Sequence, residues 1–403
     1  MRVLQVVKTS DGAGWAASQA DVLVRSGMEV HVALPSSEGR TVDAWRRAGA
    51  NIHIADLSLP VGRPYQIADA LRRTRRLVDS VQPDIIHSHF VTTTLTLRLA
   101  LGKNHRTPRV YQVAGPLHLE HWHTRQSDLK TAGEADYWIA SSRCIERHYS
   151  DYGIPDERLF LSYYGSQIKS AVRSGTLHAR LGIPSNARIV GNISYIYPPK
   201  YFLGARVGLK GHEELIDALS IVTANDQHVY GALIGNTLPG YPDSYERALR
   251  RRALAAGRGR ILMPGYFSAD EVLRCWPDFD CAVHVPHSEN CGGVVEPLSA
   301  GVPVIASEVG GLPEVIIDDV TGKIVHERRP EVLAETIRQV LSDPRHWREV
   351  AVRGRRLVQR MFDVERTARE VLSVYKHLVT GSPRPEPFNS ELFLTTAAET
   401  AAV

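Results

Sequence analysis

Two kinds of hydrophobic pattern alternate along this chain. Short, nearly continuous apolar runs fall at 3–7, 30–34, 51–54, 84–87, 109–113, 137–140 and 159–161, then at 189–194, 230–234, 261–263, 281–285, 304–306 and 322–325. Their length and richness in Val, Ile and Leu predict strands buried on both faces. Between most of them lie stretches with the helical period, such as 16–26, 213–223 and 330–341. This βαβ rhythm predicts parallel sheets covered by helices. Open twisted sheets rarely exceed about ten strands, so the thirteen runs are better divided between two sheets. The fold class expected is α/β, with two doubly wound, Rossmann-like domains facing a central cleft. A polar stretch near 170–186 separates the two sets and places the boundary at 178/179. The tail, 381–403, is rich in Pro, Ser, Thr and Ala and reads as a flexible extension with an apolar patch at 391–394. In open parallel sheets ligands bind beyond the carboxyl ends of the strands, so the loops after strands are where chemistry is expected.

Composition narrows the picture without naming a reaction. Of 403 residues, 43% are apolar and 23% charged, which excludes wholesale disorder and a disulfide-rich miniprotein. No apolar run is long enough to span a bilayer, and the N-terminus enters a strand directly, so no secretory signal is expected. Cys144, Cys275, Cys281 and Cys291 are scattered, with no CxxC pair. That pattern fits a cytoplasmic location and no zinc site. A net charge of +4 does not imply nucleic-acid binding. The arginine runs at 72–76 and 250–252 are expected to be solvated helix faces. A weak peripheral contact with an anionic membrane surface is the alternative.

The most informative loop follows the run at 281–285. Gly292 and Gly293 let the backbone approach a ligand closely, and the helix-like stretch 294–300 would present its amides to an anion. Glu289 and Glu296 flank the glycines, and carboxylates accept hydrogen bonds from vicinal hydroxyls. Glycines and a helix N-terminus for phosphate, with carboxylates for hydroxyls, suit a nucleotide sugar. The plainer reading is an ordinary strand–loop–helix turn. Further loops at strand ends hold Gly235 and Asn236, and Tyr266 and Phe267. The pair Asp278 and Asp280 imitates a DxD metal motif, but its place before a strand favours a structural junction, and no metal is expected.

These residues, with Gly301-Val-Pro-Val304, Gly310-Gly-Leu-Pro-Glu-Val315 and Thr321-Gly322, resemble the retaining GT-B glycosyltransferases of family 4 over nearly the whole chain. Members carry a Glu-x7-Glu signature. Here Glu289 and Glu296 are separated by six residues, so either the loop is one residue shorter or Ser288 takes the first position. The resemblance implies a donor-binding domain at 179–364, an acceptor-binding domain at 1–178 and a final helix, 365–380, packing back onto the latter. It places Glu289 on the donor sugar, Glu296 on the ribose, and Lys210 on the diphosphate. The family's Arg position holds Tyr195, leaving Arg206 or Lys200 to supply a second cation. Donor contacts are further expected from Gly14, Gly235, Tyr266, Cys291, Gly292, Gly293 and Val294.

The resemblance also implies a histidine after the run at 109–113, where this chain has Ala114. His118 is the best replacement, as a catalytic and acceptor-binding residue, with His121 and His123 as rivals. Asp11, Trp15, His89 and His121 complete the expected acceptor side. The activity implied is retaining transfer from a nucleoside diphosphate sugar, UDP before GDP, to a hydroxyl of a hydrophilic acceptor such as a natural product or polysaccharide unit. No cofactor is expected, since the nucleotide sugar is a substrate. An epimerase of the same fold and a degenerate sugar-nucleotide-binding protein are the rival readings. The oligomeric state is open.

Overall fold

Seven strands form the first sheet: β1 (Arg2–Val6), β2 (Glu29–Leu34), β3 (Asn51–Ile54), β4 (Ile85–Ser88), β5 (Arg109–Val113), β6 (Asp136–Ala140) and β7 (Leu159–Leu161). Six form the second: β8 (Arg188–Ile193), β9 (Val229–Ile234), β10 (Ile261–Gly265), β11 (Cys281–His284), β12 (Val304–Ser307) and β13 (Lys323–Val325). They are seen in a computed structural model that describes all residues except 168–170, 202–203, 239–240, 391–392 and 394–403. The two groups of apolar runs read from the sequence are these two sheets, with ends moved by a residue or two. Of the expected tail patch, Glu391, Leu392 and Leu394 lie outside the described residues, as does Ser170 of the expected boundary stretch.

The strand orders are β3-β2-β1-β4-β5-β6-β7 and β10-β9-β8-β11-β12-β13, and the pairings are parallel. Each order reverses once, between β1 and β4 in the first sheet and between β8 and β11 in the second. A doubly wound sheet opens a crevice at such a switch point, beyond the carboxyl ends of its strands. Both sheets are buried on both sides. Val3, Leu23, Ile85, Val110 and Ile139 belong to the first core, and Val190, Leu219, Leu233, Val283, Ile305 and Ile337 to the second.

The chain divides into two units, Met1–Gln167 with Met361–Asn389, and Ile168–Arg360. The last long helix, Val364–Thr380, belongs to the first unit. Its Val371, Leu372, Val374 and Tyr375 enter that core, and Glu365 pairs with Arg25 of the helix Gly14–Arg25. The division falls before the helix Thr176–Leu181, whereas the sequence pattern places it at 178/179. The cause is Asp278, which is fully buried. Its carboxylate accepts from the amides of Ser174 and Gly175, both at 2.9 Å, and of Leu177 at 2.8 Å. These amides stand at the open start of that helix, so Asp278 ties it to the second unit. Asp280 accepts from the Ile189 amide at 2.8 Å and pairs with Arg173. The DxD look-alike is therefore a structural junction.

Among the described residues no helix is long and apolar enough to cross a membrane. Most charges of the two arginine runs are engaged locally. Arg72 and Arg73 pair with Asp69, Arg250 with Glu246 and Arg252 with Asp217.

Candidate functional site

The second unit's switch point carries a chain of polar contacts that starts inside the sheet. Asn192 on β8 donates to the Val283 carbonyl at 2.6 Å, and its side-chain nitrogen lies 3.1 Å from Nδ1 of His284 on β11. A donor on Nδ1 leaves the ring proton on Nε2. That nitrogen stands 3.1 Å from Oε2 of Glu289. Burial pushes the His284 pKa down, so the ring is a neutral donor. Lys210 forms an ion pair with the same carboxylate oxygen, and the Asn290 amide donates to Oε1 at 3.0 Å. Burial by itself would raise the Glu289 pKa. The Lys210 charge and the His284 hydrogen bond outweigh it and hold the carboxyl well below its usual range.

Two glycines make this packing possible. A Cβ on Gly293 would come within 2.0 Å of the His284 Nε2. Gly310 has a φ of +58°, and a Cβ there would meet the Glu289 carbonyl at 1.8 Å. Side chains at these positions would displace the loop.

Beside this cluster, a cavity of about 270 Å³ lies at the ends of β8, β9 and β10, lined by Ser194, Tyr195, Gly235, Tyr266, Phe267 and Glu296. Glu296 accepts from the Trp276 indole N–H at 3.1 Å and is exposed to solvent. The cavity thus brings together three of the expected donor residues, Gly235, Tyr266 and Glu296. Lys210 and Glu289 meet in the ion pair. The expected helix over 294–300 is shorter, a 3-10 turn at Gly292–Val294 followed by Val295–Ser299. Cys291 is buried, with its thiol donating to the Gly311 carbonyl at 3.2 Å, and the Val294 side chain is buried too. Neither residue presents its side chain at the surface of the loop. Arg206 is exposed, and no contact among the described residues brings it to Lys210 or Glu289.

In the first unit two of the residues expected on the acceptor side, His118 and His89, are buried. His118 is buried, its Nε2 lying 3.0 Å from the Tyr149 hydroxyl and 3.4 Å from Asp128. Tyr149 donates to Asp128 at 2.6 Å, and Arg98 to the same carboxylate at 2.6 Å. Arg98 and Arg109 both bind Asp136. His118 is thus one member of a buried ionic network beneath the sheet's helices, and is not presented as an open catalytic base. His89 is fully buried as well. Its ring nitrogens lie 2.6 Å from the Gln5 carbonyl oxygen and 3.1 Å from the Tyr164 hydroxyl, and burial with the neighbouring His87 pushes its pKa well down. It supports the loop rather than lining an open subsite.

The remaining acceptor-side residues stay near the surface. Trp15 is half-buried against Tyr164, ring centroids 3.9 Å apart. Gly14 opens its helix, Asp11 accepts from the Arg40 amide at 3.2 Å, and His121 is half-buried at the start of the helix Trp122–Thr131. Among the described residues no group of three or more His, Cys, Asp or Glu side chains is arranged to hold a metal ion.

Sequence reasoning passed over Asn192, Ser194 and His284. A signal existed for two of them, since Asn192 and His284 are polar residues in the interior of runs that are otherwise mostly apolar. A buried polar group in such a run requires a partner.

Residues 199–356 match the glycosyl transferases group 1 family, and residues 15–165 match Glycosyltransferase Family 4. A D-inositol 3-phosphate glycosyltransferase of Mycolicibacterium gilvum is 30% identical over 234 residues, covering 56% of this chain and 49% of that protein. The chain thus spans about half the length of this curated relative. Among solved structures, Anabaena HepE in complex with UDP and glucose superposes with a TM-score of 0.76 at 20% identity, over 93% of this chain and 99% of that one. Sucrose-phosphate synthase from Thermosynechococcus elongatus gives 0.77 at 17% identity, over 95% and 100%. Each unit thus matches a glycosyltransferase family model, and the fold is that of the GT-B glycosyltransferases along nearly its whole length.

Proposed function

We propose that this chain is a retaining glycosyltransferase that moves a sugar from a UDP-sugar to a hydroxyl of a hydrophilic acceptor. The observation that carries the reading is the second unit's switch point, where the Lys210–Glu289 pair stands beside a cavity containing Gly235, Tyr266 and Glu296. The cavity takes the nucleoside, with Glu296 accepting from the ribose hydroxyls and Tyr266 beside the base. Lys210 turns to the diphosphate and meets its growing charge in place of a metal. Glu289 accepts from the sugar hydroxyls.

In the reaction the bond from the sugar C1 to the diphosphate oxygen breaks. The bond from C1 to the acceptor oxygen forms on the same face, and the acceptor's proton passes to the departing diphosphate. Asp11, Trp15 and His121 of the first unit are assigned to the acceptor. The names of the relatives support both ends of the reaction: UDP and glucose are bound by HepE, and D-inositol 3-phosphate, a polyhydroxylated ring, is named for the Mycolicibacterium protein. We assign the reaction to the cytoplasm on the cysteine usage.

The test is thermal melting against UDP, GDP and a panel of their sugar conjugates, followed by turnover of the best conjugate with and without polyol and glycan acceptors. A ligand that binds only the folded chain raises its midpoint with affinity. Stabilisation by UDP, a larger shift with one conjugate, and turnover that requires an acceptor are expected. No shift with any nucleotide overturns the reading. Conversion of the nucleotide sugar without an acceptor replaces it with epimerisation.

A further inference from the structure

Lys210 has two anions to serve in the proposed reaction. In this structure it pairs with Glu289, and the donor's diphosphate would draw it away. A buried carboxylate that loses its cation must be held by another donor or it rotates and becomes protonated. His284 is placed to be that donor. It is a strand residue, 3.1 Å from Glu289 through Nε2. Its ring is fixed from behind by Asn192 at 3.1 Å, and from the side by Gly293, where even a methyl group would collide with Nε2. Asn192 cannot be turned round, because its amide nitrogen also donates to the Val283 carbonyl, and an oxygen there would face another oxygen.

We propose that His284 is a positioning residue for Glu289: its Nε2–H, aimed by Asn192, keeps the carboxylate in place for the sugar hydroxyls while Lys210 serves the phosphates. The proposal rests on the reading of Glu289 as the sugar-binding carboxylate. It adds a three-residue support, Asn192, His284 and Gly293, to the site.

The test compares His284→Ala, His284→Gln and His284→Asn with the unaltered protein. The readouts are affinity for UDP, affinity for UDP-glucose and UDP-N-acetylglucosamine, and kcat and KM with whichever donor turns over. A glutamine side-chain nitrogen reaches the position of Nε2, whereas an asparagine nitrogen reaches only that of Nδ1. His284→Ala and His284→Asn are expected to keep UDP affinity within about twofold, lose the extra affinity of the sugar conjugate, and lower kcat roughly 10- to 100-fold, the effect of one hydrogen bond to a charged group. His284→Gln is expected to recover most of kcat. Equal kcat for the Gln and Ala variants, unchanged activity in all three, or an equal loss of UDP and UDP-sugar affinity overturns the proposal.

Should the variants fail to fold, Asn192→Leu leaves the ring in place but frees its tautomer. A fall in kcat of roughly 3- to 10-fold with UDP affinity unchanged is then expected, and no change overturns the proposal. If the unaltered protein binds no nucleotide and turns over no donor, the transferase reading falls and this proposal with it. If the unaltered protein is active and the variants match it, the proposal alone falls.

Discussion

The two sheets reverse their strand order at equivalent places, and the side chains at the two switch points are chemically alike. Each has an amide on its central strand, Gln5 on β1 and Asn192 on β8, next to a histidine on the strand across the reversal, His87 on β4 and His284 on β11. Their surroundings differ. In the first unit the space beyond is filled from within. Tyr375 of the last helix hydrogen-bonds Gln5 at 3.1 Å and His87, and His89 lies 4.2 Å from His87 between ring centroids. In the second unit the polar chain ends on an ion pair, Lys210–Glu289, beside a cavity. The same topology therefore serves as a sealed core in one unit and as a candidate binding site in the other. What separates them is whether the last polar group meets a tyrosine or a charge that a ligand can exchange.

The strongest way to break this contrast is to remove the charges. Lys210→Ala and Glu289→Ala are each expected to lower turnover roughly 100- to 1,000-fold on a protein that still folds, the fall in melting point from the broken ion pair being the lesser effect, because Lys210 acts on developing charge and Glu289 on the sugar. In the first unit, Gln5→Leu is expected to do the reverse, costing about 1–3 kcal/mol of stability by leaving buried partners unmatched and changing kcat little. Turnover assays beside thermal melting decide between them, and an inactive, stable Gln5→Leu protein would dissolve the distinction.

Next in size is Asp278→Ala. It strips the partner from three backbone amides and is expected to cost about 2–4 kcal/mol, with kcat within about threefold. Loss of activity on an intact fold, restored by added divalent metal, would return the DxD reading. Glu296→Ala is expected to weaken UDP binding roughly 10-fold by calorimetry, the effect of hydrogen bonds between a carboxylate and the ribose.

The smallest effect is in pH. Burial brings His87 down to about 3 from the usual 6.5. Between those values the unfolded chain binds a proton that the folded chain refuses. Stability from this group is thus complete above pH 6.5 and declines as pH falls toward 3. His87→Gln removes that proton uptake. Its acid-unfolding midpoint, followed by circular dichroism, is expected to move to lower pH relative to its stability at pH 7. An unchanged midpoint would mean that other buried groups, such as His89, govern the acid limb.

How far the sequence could be read depends on how local each determinant is. Strands such as β7 and β12 are short, largely apolar runs buried along their whole length, so composition within a few residues locates them. Gly235 and Tyr266 can be grouped because each lies just past a strand, and Glu296 because it opens the helix that ends the loop after β11; topology alone collects strand ends. The burial of His118 is not legible for the opposite reason. Its position after β5 is visible in the sequence, but Tyr149 and Asp128, which draw it inward, lie 31 and 10 residues away on other helices. The Lys210–Glu289 pair joins residues 79 apart. Both residues were singled out separately, yet their contact depends on how two loops fold over the sheet. Cys291 illustrates the same limit, since its neighbours predict a ligand loop while its own thiol turns to Gly311.

The hydrogen bond between Gln5 and Tyr375 spans 370 positions of sequence, and this orders events during synthesis. At about 5–20 residues per second, Tyr375 is made roughly 20–70 seconds after Gln5. During that interval the strands of the first unit exist without the helix that seals them, while the second unit is completed in between. The nascent first unit must wait with apolar surface and two histidines uncovered, the period in which a holding chaperone would matter most.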